Sequence, residues 1–157
     1  MTPSRHAALL LFPLIIPFIN CKNPTAPETI DGLQLAKGQA LYEVSCASCH
    51  QPEGQGLDGV APPLAGTHWL SDSTPRLARI ILHGLRGPIT VAGTEYNLEM
   101  PAMGFFADED IAAILTYLRF TWGQPAQRVT PKAIRQIRTK TRARTDSWTL
   151  RELREIP

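Results

Sequence analysis

The 157 residues hold only three cysteines, an odd number that leaves no complete set of pairs for a disulfide framework. No second pair of cysteine or histidine ligands stands at the spacing a structural zinc site needs. The one C-x-x-C pair has no β-α-β pattern around it, which argues against a thioredoxin-like dithiol. The turn Gly54-Gln55-Gly56 carries no phosphate-binding signature, and no acid–base pair stands out. The apolar run from Ala7 to Ile19 is too short to span a bilayer comfortably. Net charge is only +2, and the 43% hydrophobic share suits a globular core.

That charge is unevenly spread. Residues 22–123 carry six basic residues against eleven acids, whereas residues 124–157 carry nine basic residues against three acids. A mildly acidic body therefore bears a basic tail.

Residues 1–20 read as an export signal. Arg5 and His6 precede the apolar run, and Pro13 and Pro17 argue against a buried core helix there. Cys21 follows directly, and Phe18-Ile19-Asn20-Cys21 resembles a lipoprotein cleavage box, departing from it at Asn20. Cys21 is thus the expected lipid attachment site, with ordinary cleavage near this point as the rival. Residues 21–30, with Pro24 and Pro27, read as a tether. The expected location is periplasmic, anchored to the membrane through lipid. Nucleic acid is not an expected partner of an exported chain.

Cys46-Ala47-Ser48-Cys49-His50 is C-x-x-C-H, the attachment signature of c-type haem. Residues three apart share one helix face, so two thiols so placed can each add to one vinyl group of the same haem. The next residue, His50, can then reach the iron. One covalent haem c is the expected cofactor.

Three further blocks strengthen this. They are Ala61-Pro62-Pro63-Leu64-Ala65-Gly66, Asn97-Leu98-Glu99-Met100-Pro101 and the helical stretch from Asp108 to Arg119. With the C-x-x-C-H they resemble a class I cytochrome c over about residues 31–123. The resemblance implies an all-α fold around one haem, and one-electron transfer rather than catalysis. It implies that the Pro62 carbonyl holds His50, that Leu64 packs on the haem plane, and that Met100 is the sixth ligand. By residue type alone Met103, His68 and His83 also qualify as that ligand. Pro101 restricts Met100 to extended backbone, which helps hold the loop. Trp69, Arg86 and Tyr96 carry N–H or O–H groups able to reach the haem propionates. The competing reading is core packing for the two aromatics and a solvated surface for Arg86.

Three helices are expected in the domain. One runs from Asp31 to Ser45. One starts with Thr74 as N-cap and Pro75 in the first turn, buries Leu77, Ile80 and Ile81, and stops at Gly84. The last opens near Asp108, with Ile111, Ile114, Leu115 and Leu118 as its apolar stripe, and ends at Gly123. The resemblance implies that Gly38 lets the first and last helices approach, with Tyr117 opposite. Ile89-Thr90-Val91 and Thr94-Glu95-Tyr96 flank Ala92-Gly93 as a small hairpin.

Residues 124–157 form a C-terminal extension. One helix is expected from Thr130-Pro131 with a thin face of Ile134 and Ile137, and a second near Ser147 or Thr149. Arg135, Arg138, Lys140, Arg142 and Arg144 read either as a solvated wrap or as a docking arm for an acidic partner or an anionic membrane.

The block Gly84 to Ile89, with Tyr117-Leu118-Arg119 and Trp122-Gly123, is similar to cytochrome domains of exported quinoprotein dehydrogenases. That similarity implies a dehydrogenase donor and an oxidase or another cytochrome as acceptor. Two rivals are a haem peroxidase and a small-molecule or redox sensor, both needing a labile iron position. Bacterial peroxidases of this type often carry a second C-x-x-C-H, and this chain has one.

Overall fold

The computed structural model describes residues 31–123 and 127–156. The signal, the tether and Cys21 lie outside the described residues. Helices carry the architecture, and among the described residues four short strands are attached to it.

Helix α1 (Gly32–Ser45) opens where the Asp31 carboxylate accepts the Leu33 N–H at 3.0 Å. It leads through Cys46 into the single turn α2 (Ala47–His50). Helix α3 (Thr74–His83) is capped at Ser73, one residue before the expected Thr74. The Thr74 hydroxyl instead accepts a bond from Arg119 at 2.7 Å. Gly84, at φ 82°, ends α3 in a conformation that favours glycine. Helix α4 (Asp108–Trp122) has Asp108, Glu109 and Asp110 in its first turn, at the positive end of its dipole. The Asp110 carboxylate also accepts the Ala107 N–H at 3.2 Å.

The central contact is α1 across α4. A Cβ placed on Gly38 would lie 2.7 Å from Tyr117 Cβ and closer still to the Ala113 carbonyl oxygen, so only glycine permits this approach. Beside it, Tyr42 is fully buried, with ring centroids 5.8 Å from Tyr117 and 5.3 Å from Trp122. These rings meet tilted or edge-on, the arrangement their quadrupoles favour.

Strands β1 (Leu85–Arg86), β2 (Ile89–Val91) and β3 (Thr94–Tyr96) follow α3. The β2–β3 hairpin forms as expected, pairing Ile89 with Tyr96 and Val91 with Thr94. Its two turn residues, Ala92 at φ 50° and Gly93 at φ 84°, are both left-handed, which matches the right-handed strand twist.

The extension folds back onto the domain. Val129 is stitched to α4, donating its N–H to the Thr116 hydroxyl at 2.9 Å, while Gln34 on α1 donates to the Val129 carbonyl at 3.0 Å. Helix α5 (Pro131–Lys140) starts where the Thr130 hydroxyl accepts the Ala133 N–H at 3.2 Å. Its thin face is sufficient: Ile134 and Ile137 are buried in the main core, each contributing about 1.5–3 kcal/mol. Strand β4 (Trp148–Thr149) then runs parallel to β1, a pairing the sequence does not signal. Helix α6 (Leu150–Arg154) completes the described chain.

The basic stretch wraps the domain, with Arg138 and Arg144 half-buried and Arg135 exposed but ion-paired. Arg138 pairs with Asp108 at 2.8 Å, Arg135 with Asp108 at 3.3 Å, and Arg144 with Glu152 at 3.0 Å. Arg144 also lies over the Trp148 ring, 3.6 Å from its centroid. Lys140 and Arg142 remain exposed.

Glu152 links this arrangement to pH. Hydrogen bonds from the Thr149 hydroxyl and N–H, and then the Arg144 guanidinium, hold its carboxyl at about 2 against an ordinary 4.5. A carboxylate lowered on folding stabilises the folded state above its unfolded value, and that stabilisation fades as pH falls from 4.5 towards 2. The Glu152→Gln variant is therefore expected to melt below the parent at neutral pH, and the gap is expected to close through that acid range. A gap constant over the range would show that the ionised carboxylate contributes nothing.

Candidate haem-binding site

The C-x-x-C-H segment is one helical turn. Cys49 N–H and His50 N–H both donate to the Cys46 carbonyl, at 3.1 and 2.9 Å. This winding turns Cys46, Cys49 and His50 towards one cavity, which all three line. Gln51, at φ 63°, turns the chain out of the helix. The loop then returns, with Gly56 donating to the His50 carbonyl at 2.9 Å and Leu64 to the Gly54 carbonyl at 2.7 Å. A Cβ on Gly56 would meet the Ala61 carbonyl oxygen and Pro62 backbone at 2.6 Å, so glycine lets this loop close.

Closure brings the Pro62 carbonyl 3.0 Å from His50 Nδ1. A carbonyl only accepts, so Nδ1 carries the proton and Nε2 keeps a free lone pair. Burial lowers the imidazole pKa, partly offset by the Pro62 bond, so the ring is neutral at physiological pH. A neutral ring with one fixed N–H is the form that ligates a metal. Burial, followed by the neighbouring Cys49, pushes the Cys46 thiol up to about 11. The surroundings thus favour an uncharged sulfur, as in a thioether.

The cavity measures about 230 Å³ and is walled mostly by apolar side chains, among them Leu64, Leu77, Ile81, Leu115 and Phe106. Both Met100 and Met103 line it, as do Pro62 and Trp69. Met100 is held by its backbone, which exchanges two hydrogen bonds with Leu85 at 2.9 and 3.1 Å. Met103 donates its N–H to the Ile81 carbonyl at 2.8 Å. Trp69 Nε1 is buried with no hydrogen-bond partner among protein atoms. A flat apolar macrocycle with iron at its centre and carboxylates at its rim fits this donor set: two cysteine sulfurs, an imidazole, a thioether and one unpaired indole N–H.

Not every expected neighbour reaches the cavity. Tyr96 is buried elsewhere, in a second cluster with Ile80, Leu85, Ile89, Val91 and Leu153. Its alternate position in the hairpin puts it on the inward face with Ile89 and Val91. Arg86 is exposed and donates to the Ser147 carbonyl at 3.3 Å, because its strand points it away from the core-facing Leu85. Neither residue lines the cavity. His68 stacks on Trp69 at the surface, and His83 bonds the Thr141 hydroxyl at 2.7 Å, so neither histidine lines it either.

Comparison with known families settles the family. A cytochrome c family model matches residues 35–122. The chain belongs to the cytochrome c family. As a cytochrome c it binds one haem c covalently. This cytochrome c is 37% identical over 123 residues to cytochrome c-552 of Thermus thermophilus, covering 71% of the chain and 82% of that protein. It is 34% identical over 124 residues to the fructose dehydrogenase cytochrome subunit of Gluconobacter japonicus, covering 74% of the chain and 24% of the subunit. It is 33% identical over 106 residues to the gluconate 2-dehydrogenase cytochrome c subunit of Pantoea cypripedii, covering 64% of the chain and 24% of the subunit. The chain thus spans about a quarter of the length of those two dehydrogenase subunits. Among the described residues no helix is long and apolar enough to cross a membrane.

Two residues of this cytochrome c matter to the site without having been singled out for it. Arg119 is 3% exposed and donates to the Leu70 carbonyl at 3.3 Å, the Thr74 hydroxyl and the Asp72 carbonyl at 2.5 Å. It pins the Trp69 segment and the start of α3 to α4. Phe106 enters the cavity wall directly after the exposed Phe105. Arg119 falls on the buried side of α4 beside Leu115 and Leu118, which is the one sequence signal of its burial.

Proposed function

We propose that this cytochrome c carries electrons one at a time through a haem attached at Cys46 and Cys49, with His50 and Met100 as the axial ligands. The reading rests on one observation: these four residues line a single apolar cavity. When bound, the haem supplies a one-electron couple, and a thioether ligand favours the ferrous form. The chain's own residues do the rest. Pro62 fixes the His50 tautomer through its 3.0 Å contact, Leu64 and the aliphatic wall exclude water, and the buried, unpaired Trp69 N–H would be free to donate to a haem propionate.

The similarity to dehydrogenase cytochrome subunits supports an exported dehydrogenase as donor, with an oxidase or another cytochrome as acceptor. The chain acts outside the cytoplasm, held to the membrane by lipid on Cys21. Domain limits follow the same reading: signal 1–20, tether 21–30, haem domain 31–123 and extension 124–157.

Two measurements on the purified mature protein check this. Reduced protein at neutral pH is expected to bind carbon monoxide slowly or not at all. Fast binding would favour the peroxidase or sensor reading, because both need an iron position that opens readily. The intact mass is expected to include acyl chains, and a mass without them would remove the anchor.

A further inference from the structure

The C-terminal extension touches both ends of the segment that carries Met100. At the upstream end, β1 is bonded on both sides, to strand β4 and, through an isolated bridge, to Met100. On one side the Gly84 carbonyl accepts the Trp148 N–H at 3.0 Å, with Leu85 in register with Trp148. On the other side Leu85 exchanges both its backbone hydrogen bonds with Met100. The approach is tight: a Cβ on Gly84 would lie 2.5 Å from the Met100 carbonyl oxygen and 2.9 Å from Ser147 Oγ. Ser147, itself buried, donates its hydroxyl to the carboxylate of Glu99, the residue before Met100.

At the downstream end one guanidinium does the work. Arg138 on α5 donates to the Gly104 carbonyl and to the Phe106 carbonyl, each at 2.7 Å, and to Asp108 Oδ1 at 2.8 Å. A planar fork with three directed bonds fixes a backbone more firmly than a point charge. Residues 101–107 have no helix or strand of their own, so their place is set by what they bond to.

We infer that Ser147 and Arg138 are positioning residues for the sixth iron ligand. The extension is a two-point brace that holds the Met100 loop over the iron and sets how readily an outside ligand displaces the thioether. The inference rests on Met100 as that ligand. Displacement requires the loop to open locally, and each brace bond lost favours the open form. One such bond shifts that equilibrium by about tenfold.

The test uses full-length ferric holoprotein and imidazole as the competing ligand, read by the shift of the main haem absorption band, which serves variants with and without a methionine-to-iron charge-transfer band. Ser147→Ala is expected to bind imidazole about tenfold more tightly, and Arg138→Ala, which loses more than one such bond, at least about tenfold more tightly. Val129→Ala trims a buried side chain on the α1–α4 side of the extension. It is expected to lower stability and leave imidazole affinity unchanged. In a Met100→Ala background, the two brace substitutions are expected to add nothing.

Unchanged affinity in both brace variants overturns the brace, and so does an equal gain in Val129→Ala, which would indicate general loosening. A Met100→Ala variant with wild-type affinity and band would instead overturn the ligand assignment itself. Should Arg138→Ala fail to fold, Ser147→Ala removes a single hydroxyl and decides the matter alone.

Discussion

Met100→Ala is expected to abolish the charge-transfer band and to lower the midpoint potential by on the order of 0.1–0.3 V. The reason is electronic. A thioether stabilises ferrous iron, and water or a nitrogen ligand in its place stabilises it less. Met100 is one of two methionines in the cavity wall, so the experiment has a built-in comparison. Met103 sits three residues on, tied to α3 through the Ile81 carbonyl, whereas Met100 is tied to β1. Met103→Ala is expected to keep the band and move the potential little. A band that survives in Met100→Ala and disappears in Met103→Ala would transfer the ligand to Met103. Absorption spectra and a redox titration of the two variants read both outcomes.

Gly38→Ala is expected to destabilise the holoprotein by about 3 kcal/mol in a denaturant titration. Alanine is the better helix former by about 1 kcal/mol, so an exposed glycine replaced in mid-helix would give the opposite sign. Here the new methyl meets the Ala113 carbonyl and Tyr117 Cβ, which are backbone or next to it and cannot rotate away. The helices must separate, and the packing of Tyr42 on Tyr117 and Trp122 separates with them. Tyr42 also donates its hydroxyl to the Gln51 carbonyl at 2.5 Å, directly after the haem motif, so the disturbance reaches the site. A stabilising or neutral outcome would mean that α1 and α4 do not cross where Gly38 and Ala113 place them.

Much of this molecule was legible residue by residue. The hairpin was readable because Ala92-Gly93 between alternating strands is a local signal, and its left-handed turn depends on those two residues alone. Helix α3 was readable from Pro75 and Gly84, with its cap one residue earlier at Ser73, while the Thr74 hydroxyl accepts from Arg119, far along the chain. The aims of Arg86 and Tyr96 were not readable. Side chains alternate along a strand, and which side faces the haem cavity depends on where the sheet lies. The basic tail wraps the domain, one of its two readings, but the contacts it makes were not readable for a related reason. Arginine in a sequence reads as surface charge, yet Arg138 spends its donors on carbonyls more than 30 residues away.

The sequence by itself pointed to the cofactor and to where we propose it is attached, because two thiols and an imidazole within five residues are brought together by a single helical turn. It also determined the family, through short blocks in a set order. Only the tertiary structure decided how the chain is held across the cavity from that turn. Met100 reaches the cavity through a strand contact with Leu85, and Leu85 is backed by Trp148 from the far end of the chain. Those partners are joined by backbone hydrogen bonds, which carry no residue signature, and so no reading of side chains in order could have paired them.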